Sequence, residues 1–353
     1  MSTTTPSALA VDPQRLPEAL PQTLGDIDRA FRPAEPTPEP GPTTLFLTID
    51  TEDAYFSRPI LMTGEGVGRE FGVFGILDAL DAHRMKATFF VNVYETDRQP
   101  TGVVEGVVRE IVERGHEVGL HSHPSPCSEL YGRPLFRLSQ QQQTDILRWG
   151  VDLIERWVGL PPVSFRAGGY ALDDRTFAAM EEVGIAIDSS CFYPSANNCQ
   201  ERFTVNAVAA HGRIVEAPVT TVLQLAGDAV KHTKLDFNWL SVDELMAALG
   251  AVADHGAGFA TFMMHSFSFI EKATRREGEP SPPGAIFTSE DVFGCYVDVY
   301  GPRPELRASF PSFLERIAAE PRLRVRTLSE ALPELSAAAV ACPPDVIPVI
   351  SGA

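Results

Sequence analysis

Residues 43–53 read TTLFLTIDTED. The β-branched and aromatic run from Thr43 to Ile49 has no turn residue in it and reads as a buried strand. It ends abruptly in Asp50, Glu52 and Asp53. The pattern recurs down the chain: HEVGL (116–120) runs into His121, Ser122 and His123, VSF (163–165) into Arg166, and FATFMM (259–264) into His265. Between these segments lie amphipathic stretches of helical period, among them EFGVFGILDALDAHRM (70–85), GVVEGVVREIVERG (102–115) and Leu138 to Val158. DDRTFAAMEEVG (173–184) has an aspartate suited to cap its start and a glycine suited to end it. KATFFVNV (86–93) and IAIDSS (185–190) supply further strands, VDELMAALGAVADHG (242–256) a further helix, and SFPSFLERIAAE (309–320) with LRVRTLSEAL (323–332) a closing unit.

Strand–helix alternation of this length predicts an α/β protein with a parallel sheet of about seven strands, closed as a distorted (β/α) barrel. In that architecture the carboxyl ends of all parallel strands point to one rim. An acid cluster, two imidazoles, a guanidinium and a third imidazole are therefore expected at one place.

Each residue also has a plainer reading. The acids at 50, 52 and 53 could cap a solvated turn. His121 and His123 could be ordinary polar residues at a strand end, Arg166 a surface ion-pair partner, and His265 a hydrogen-bonded core histidine. Against this, the period-2 geometry of a strand points residues i and i+2 the same way, so Asp50 converges with Glu52 and His121 with His123. Two imidazoles and a carboxylate make a ligand set for one divalent ion, with the remaining carboxylates available for proton transfer.

Composition sets the outer limits. The chain has 353 residues and carries 29 Lys+Arg against 47 Asp+Glu, a formal charge of −18. That balance argues against nucleic acid and anionic membranes as partners. No apolar run is long enough to span a bilayer. The start, MSTTTPSALAVDPQ, lacks the cationic and apolar segments of a secretion signal, and five scattered cysteines (127, 191, 199, 295 and 342) form no CxxC pair. A cytoplasmic protein is the expectation, with its oligomeric state open. Residues 1–42 are rich in proline and are expected to be a largely disordered arm, with a short helix around PQTLGDIDRAF (21–31). The catalytic domain is placed at 43–340, and 341–353 is read as a tail. The glycine-rich GEGVGREFG (64–72) does not directly follow the first strand, and reads as a loop rather than a phosphate cradle.

With these motifs in this order, the chain resembles the polysaccharide deacetylase family, also called the NodB-homology or carbohydrate esterase 4 family. LTIDTED, HSHP, FRAGGY and MMHS are similar to four of its motifs, over roughly residues 43 to 335. The resemblance implies a distorted (β/α) barrel of the NodB-homology type. It also implies one divalent metal, usually zinc, and hydrolysis of the N-acetyl group of an amino sugar. Carried over by position, Asp50 is the general base, Arg166 orients it, His265 is the general acid, and His121 and His123 are metal ligands. The first motif departs from the usual adjacent aspartates. Glu52 is therefore expected as third ligand, with Asp53 as its substitute, and HxH replaces a wider histidine spacing as in intracellular-looking branches. Asp53, Tyr170, Asp236 and Trp239 are expected to bind substrate, the last two as a variant fourth motif in KLDFNW (234–239). A small, carrier-linked or natural-product N-acetylated sugar is the expected substrate. The alternatives are another C–N hydrolase on the same fold, acting on a cyclic amide or ureide, and a non-catalytic carbohydrate-binding protein.

Overall fold

The structure is a computed structural model describing residues 7–11, 23, 25–26, 31–38, 41–53, 61–97, 99–123, 133–200, 204–276, 287–290, 296–341 and 345–351. Its centre is a curled sheet. Strands Phe259–His265, Thr43–Thr51, Thr88–Asn92, Glu117–Ser122, Ser164–Ala167, Ile187–Asp188 and Ile214–Glu216 lie side by side in that order, each parallel to the next. Ala209–His211 adds an antiparallel strand at one edge, and Leu323–Arg326 pairs with the lower half of Thr43–Thr51.

The sheet is thus mixed in orientation, a curled half-barrel rather than the expected distorted (β/α) barrel of about seven parallel strands. Its two ends meet through isolated hydrogen bonds rather than a ladder. The Thr220 N–H donates to Thr261 O, the Leu235 N–H to Thr220 O, and the Met263 N–H to Leu235 O. The physical reason lies in the chain after Glu216. It leaves the sheet to build the hairpin Thr221–Ala226 and Ala229–Lys234, so no long strand is left to complete a ladder with Phe259–His265.

Alternation along the first strand sorts its side chains. Leu45, Leu47 and Ile49 join a core cluster with the helices Val73–Ala82, Val103–Glu113 and Gln140–Val158. Phe46 faces the other way, packing with Phe90, Ile187 and Leu328 inside the curl. Asp50 shares the inward parity of Phe46. The inside is crowded: a Cβ at Gly119 would meet the Phe90 ring and Ser164 Oγ, each at 2.6 Å. The helix Asp174–Val183 starts with the expected cap. Asp173 accepts from the Arg175 and Thr176 amides, and Gly184 ends the helix with a left-handed backbone.

Arm and tail differ from expectation. Ala8–Ala10 pairs antiparallel with Val346–Ser351 and with Arg32–Pro33, and Val346–Ser351 pairs parallel with the hairpin strand Thr221–Ala226. Leu9, Phe31, Leu223, Ile347 and Val349 form the core of this second sheet. A proline-rich composition means that a segment builds no core of its own. It does not stop the segment adding a strand to a sheet supplied by others. The short helix expected at 21–31 falls largely outside the described residues.

Candidate metal and acid–base site

Glu52, His121 and His123 come together at the carboxyl ends of two strands. Glu52 Oε2 lies 2.9 Å from His123 Nε2 and 3.4 Å from His121 Nε2. His121 Nδ1 lies 2.9 Å from the backbone carbonyl oxygen of Arg166. That contact assigns the ring proton to Nδ1 and leaves the Nε2 lone pair facing Glu52. His121 is fully buried, and its Nε2 has no hydrogen-bond partner. A buried lone pair, a second imidazole and a carboxylate oxygen at these separations fit a tetrahedral ion, whose ligand atoms stand roughly 3.4 Å apart. Burial disfavours ionised Glu52, but His123 and His121 outweigh it and hold the carboxyl well below its usual range. Burial also lowers His121, while Glu52 and Asp50 more than compensate and raise it.

Asp50 stands beside this group. Its Oδ1 accepts a 2.7 Å hydrogen bond from Arg166 Nη1, and both side chains are buried. The guanidinium is fixed on every edge: Nε donates to Ser189 O and Nη2 to Ser189 Oγ, each at 2.8 Å. Its plane lies 4.4 Å from the Phe90 ring centre. Burial raises the Asp50 carboxyl, yet Arg166, His121 and His265 together bring it below its ordinary value. His265 is the register partner of Asp50 on the neighbouring strand, and its Nε2 is 3.9 Å from Glu52 Oε1. Ser266 ties the two strand ends together. Its N–H donates to Asp50 O, its Oγ donates to Glu52 O, and the Glu52 N–H donates back to Oγ.

The loop FRAGGY is shaped by its neighbour. A Cβ at Gly168 would stand 2.5 Å from the His123 imidazole, so only glycine lets that ring lie where it does. Tyr170 follows with φ of 58°, an unfavourable backbone for an aromatic residue. Its hydroxyl accepts from Lys234 Nζ at 3.2 Å, and Lys234 also pairs with Asp236 at 3.3 Å. Burial pushes the Tyr170 phenol up to about 12.

The expected site residues therefore separate into groups. Asp50, Glu52, His121, His123, Arg166 and His265 share one rim. Tyr170 and Asp236 meet through Lys234, and Trp239 is 59% exposed beside a cleft that His265 also lines. Asp53 is the correction, both as substitute ligand and as substrate contact. Its N–H donates to Glu95, its Oδ1 accepts from the Met62 N–H, and its Oδ2 accepts from the Gln99 amide. It lies beyond the last strand residue, Thr51, and holds the loop in place. Sequence reasoning missed Glu95, Ser189, Ser266 and Lys234. Ser266 stands inside MMHS and Lys234 begins KLDFNW, so both were within reach. Glu95 lies in a short 3-10 turn with no motif around it. Burial, with Asp53 and Glu52 nearby, pushes its carboxyl well up.

A second buried group, Asp188, Cys191 and Glu216, also falls within ligand distance. It contains no imidazole or cation. Burial and Asp188 push the Glu216 carboxyl well up, and burial pushes the Cys191 thiol up.

Two imidazoles and a carboxylate thus stand at the rim of a curled sheet, beside an arginine-held aspartate. Residues 41–187 match the family model described as polysaccharide deacetylase, as the motifs led one to expect. Within the chain, 135 residues are 32% identical to a peptidoglycan deacetylase-like protein of Gibberella zeae. The match covers 38% of this chain and 35% of that protein, so the chain spans about a third of the relative's length. A solved structure from Mycobacterium smegmatis, assigned as a polysaccharide deacetylase, shares the fold. It aligns over 87% of this chain and 95% of that one, with a TM-score of 0.54 and 21% identity. Among the described residues, no helix is long and apolar enough to cross a membrane.

Proposed function

We propose that the protein is a metal-dependent hydrolase that removes the N-acetyl group from an amino sugar, giving free amine and acetate. The observation that carries this reading is the convergence of Glu52, His121 and His123 beside the Asp50–Arg166 pair. Those three residues would hold one divalent ion, and zinc suits two imidazoles and a carboxylate. Bound there, zinc supplies Lewis-acid activation of water and of the acyl oxygen.

The protein's own groups do the proton work. Asp50 is ionised and fixed by Arg166, so its second oxygen is aimed to take a proton from water without first reorienting. His265, in register with it on the next strand, is placed to give a proton to the departing amine, which otherwise leaves poorly. Arg166 contributes orientation rather than proton transfer, since a guanidinium does not give up its proton. For substrate we propose a small, carrier-linked or natural-product sugar. A cleft of about 390 Å³ beside His265 supports a short saccharide.

The test is acetate and amine release from N-acetylated amino-sugars by zinc-loaded protein, with Asp50→Asn alongside. Stoichiometric acetate and amine, lost in the variant, is the expected result. Release of amine from a cyclic amide or ureide with no acetate would favour a different C–N hydrolase. Saccharide binding with no turnover would favour a carbohydrate-binding protein.

A further inference from the structure

Glu52 lies one residue beyond its strand, where the sheet no longer fixes the backbone. The ladder ends at Asp50 paired with His265 on one side, and at Thr51 paired with Val91 on the other. Side chains take over from there. The peptide between Glu52 and Asp53 is held at both of its polar atoms. The Glu52 carbonyl accepts from Ser266 Oγ at 2.8 Å. The Asp53 N–H donates to both oxygens of Glu95, at 3.0 and 3.2 Å.

Glu95 is itself fixed. It is buried, and it sits in the 3-10 turn Val93–Asp97 directly after the strand Thr88–Asn92. Its Oε1 accepts from Asn92 Nδ2 at 3.1 Å, and Asn92 is the register partner of His121. One continuous set of contacts therefore runs from the strand beside His121, through Asn92 and Glu95, to the peptide that follows Glu52. Ser266 holds the same peptide from the strand of His265. Glu95 stands outside the ligand group, yet it is tied to two of its members.

We infer that Glu95 is a positioning residue for Glu52: through the Asp53 N–H it sets the Glu52 carboxylate at the place where it meets the two imidazoles. It rests on the metal reading of the rim. Partners that orient a ligand in this way govern metal affinity by about 10- to 100-fold. A loop staple, serving stability alone, is the plainer role. It does not explain why the amide held is the one directly after the ligand, or why the staple is anchored beside the second ligand.

The test compares Glu95→Gln with Glu95→Asp in the full-length protein. Glutamine keeps an acceptor oxygen at the same reach and gives up the acid, whereas aspartate keeps the acid and is one methylene shorter. Zinc affinity is read by competition with a chelator, ligand geometry by the visible absorption of the cobalt-substituted protein, and apoprotein stability by urea unfolding. Glu95→Gln is expected to stay close to the wild type. Glu95→Asp is expected to bind zinc about 10- to 100-fold more weakly, with an altered cobalt spectrum, and at saturating zinc to lose kcat with KM little changed. Wild-type affinity and spectrum in a folded Glu95→Asp, whatever its stability, would overturn the inference and leave Glu95 a staple. The reverse order, with Glu95→Gln the weaker binder, would also overturn it, because charge and not position would then be what counts. Asn92→Ala frees Glu95 from its anchor without touching it, and covers the case in which Glu95→Asp fails to fold. Zinc affinity should fall there too, and an unchanged affinity would count against the inference in the same way. Zinc in the wild type with unchanged variants removes this inference alone; no zinc in the wild type removes the metal reading and the inference with it.

Discussion

Two histidines five residues apart, one just before a strand and one at its far end, make opposite use of a neighbouring acid. His116 precedes the strand Glu117–Ser122 at its amino end, with Nε2 3.3 Å from Asp81 Oδ1. Its Nδ1 accepts the Ala87 N–H, so Nε2 carries the proton and donates to Asp81. Both nitrogens are used. Burial, with Lys86 and Arg114 nearby, lowers its pKa to about 4 despite Asp81. His121, at the carboxyl end, has its Nδ1 set against a carbonyl and its Nε2 left over, facing two more ligating groups. An acid–imidazole pair is therefore not in itself a site. What separates them is whether the backbone partner consumes a lone pair or frees one, and how many further groups converge.

If that contrast is right, variants at the carboxyl rim should remove chemistry, and variants at the amino end should change only stability. The largest effect is expected from Asp50→Asn: a loss of about 10²- to 10⁴-fold in acetate release, with zinc content unchanged. Turnover within a few-fold of wild type would remove Asp50 from the proton transfer. Arg166→Met leaves the buried Asp50 charge without a partner. It should cost about 3–5 kcal/mol in urea unfolding, and a near-neutral result would mean that Asp50 is already protonated. Gly168→Ala pushes a methyl group against the His123 ring. Zinc affinity, measured by competition with a chelator, should fall about 10- to 100-fold, as for other disturbed ligand supports.

The smallest effect belongs to His116. Its folded pKa lies below its unfolded value of about 6.5, so between pH 6.5 and about 4 the unfolded chain binds the extra proton. Stability should fall as pH drops through that window and gain nothing from this group above it. In His116→Leu the pH dependence of unfolding should flatten over that range while zinc binding is unchanged. An identical slope in variant and wild type would show that other groups carry the acid sensitivity.

The rim was legible because the strands announce themselves as apolar runs that stop at an ionisable residue, and alternation then fixes which residues converge. This worked for Asp50 with Glu52 and for His121 with His123. It failed at Asp53, where the strand had ended and the chain was free to turn toward Glu95. Partners from distant loops, such as Ser189 under Arg166, carry no local signal: a serine after a strand looks the same whether or not an arginine is above it. The second sheet was hidden for a related reason. Ala8–Ala10 and Val346–Ser351 are too short or too interrupted by proline to declare a strand, and only their pairing with each other, and that of Val346–Ser351 with the hairpin Thr221–Lys234, makes them one.

The most direct measurement is elemental analysis of the purified protein, wild type beside the double variant His121→Ala/His123→Ala, after exposure to zinc and removal of excess. About one equivalent of zinc in the wild type, and none in a folded double variant, is expected if His121, His123 and Glu52 form a metal centre. No bound zinc in the wild type, or equal zinc in both proteins, would contradict it.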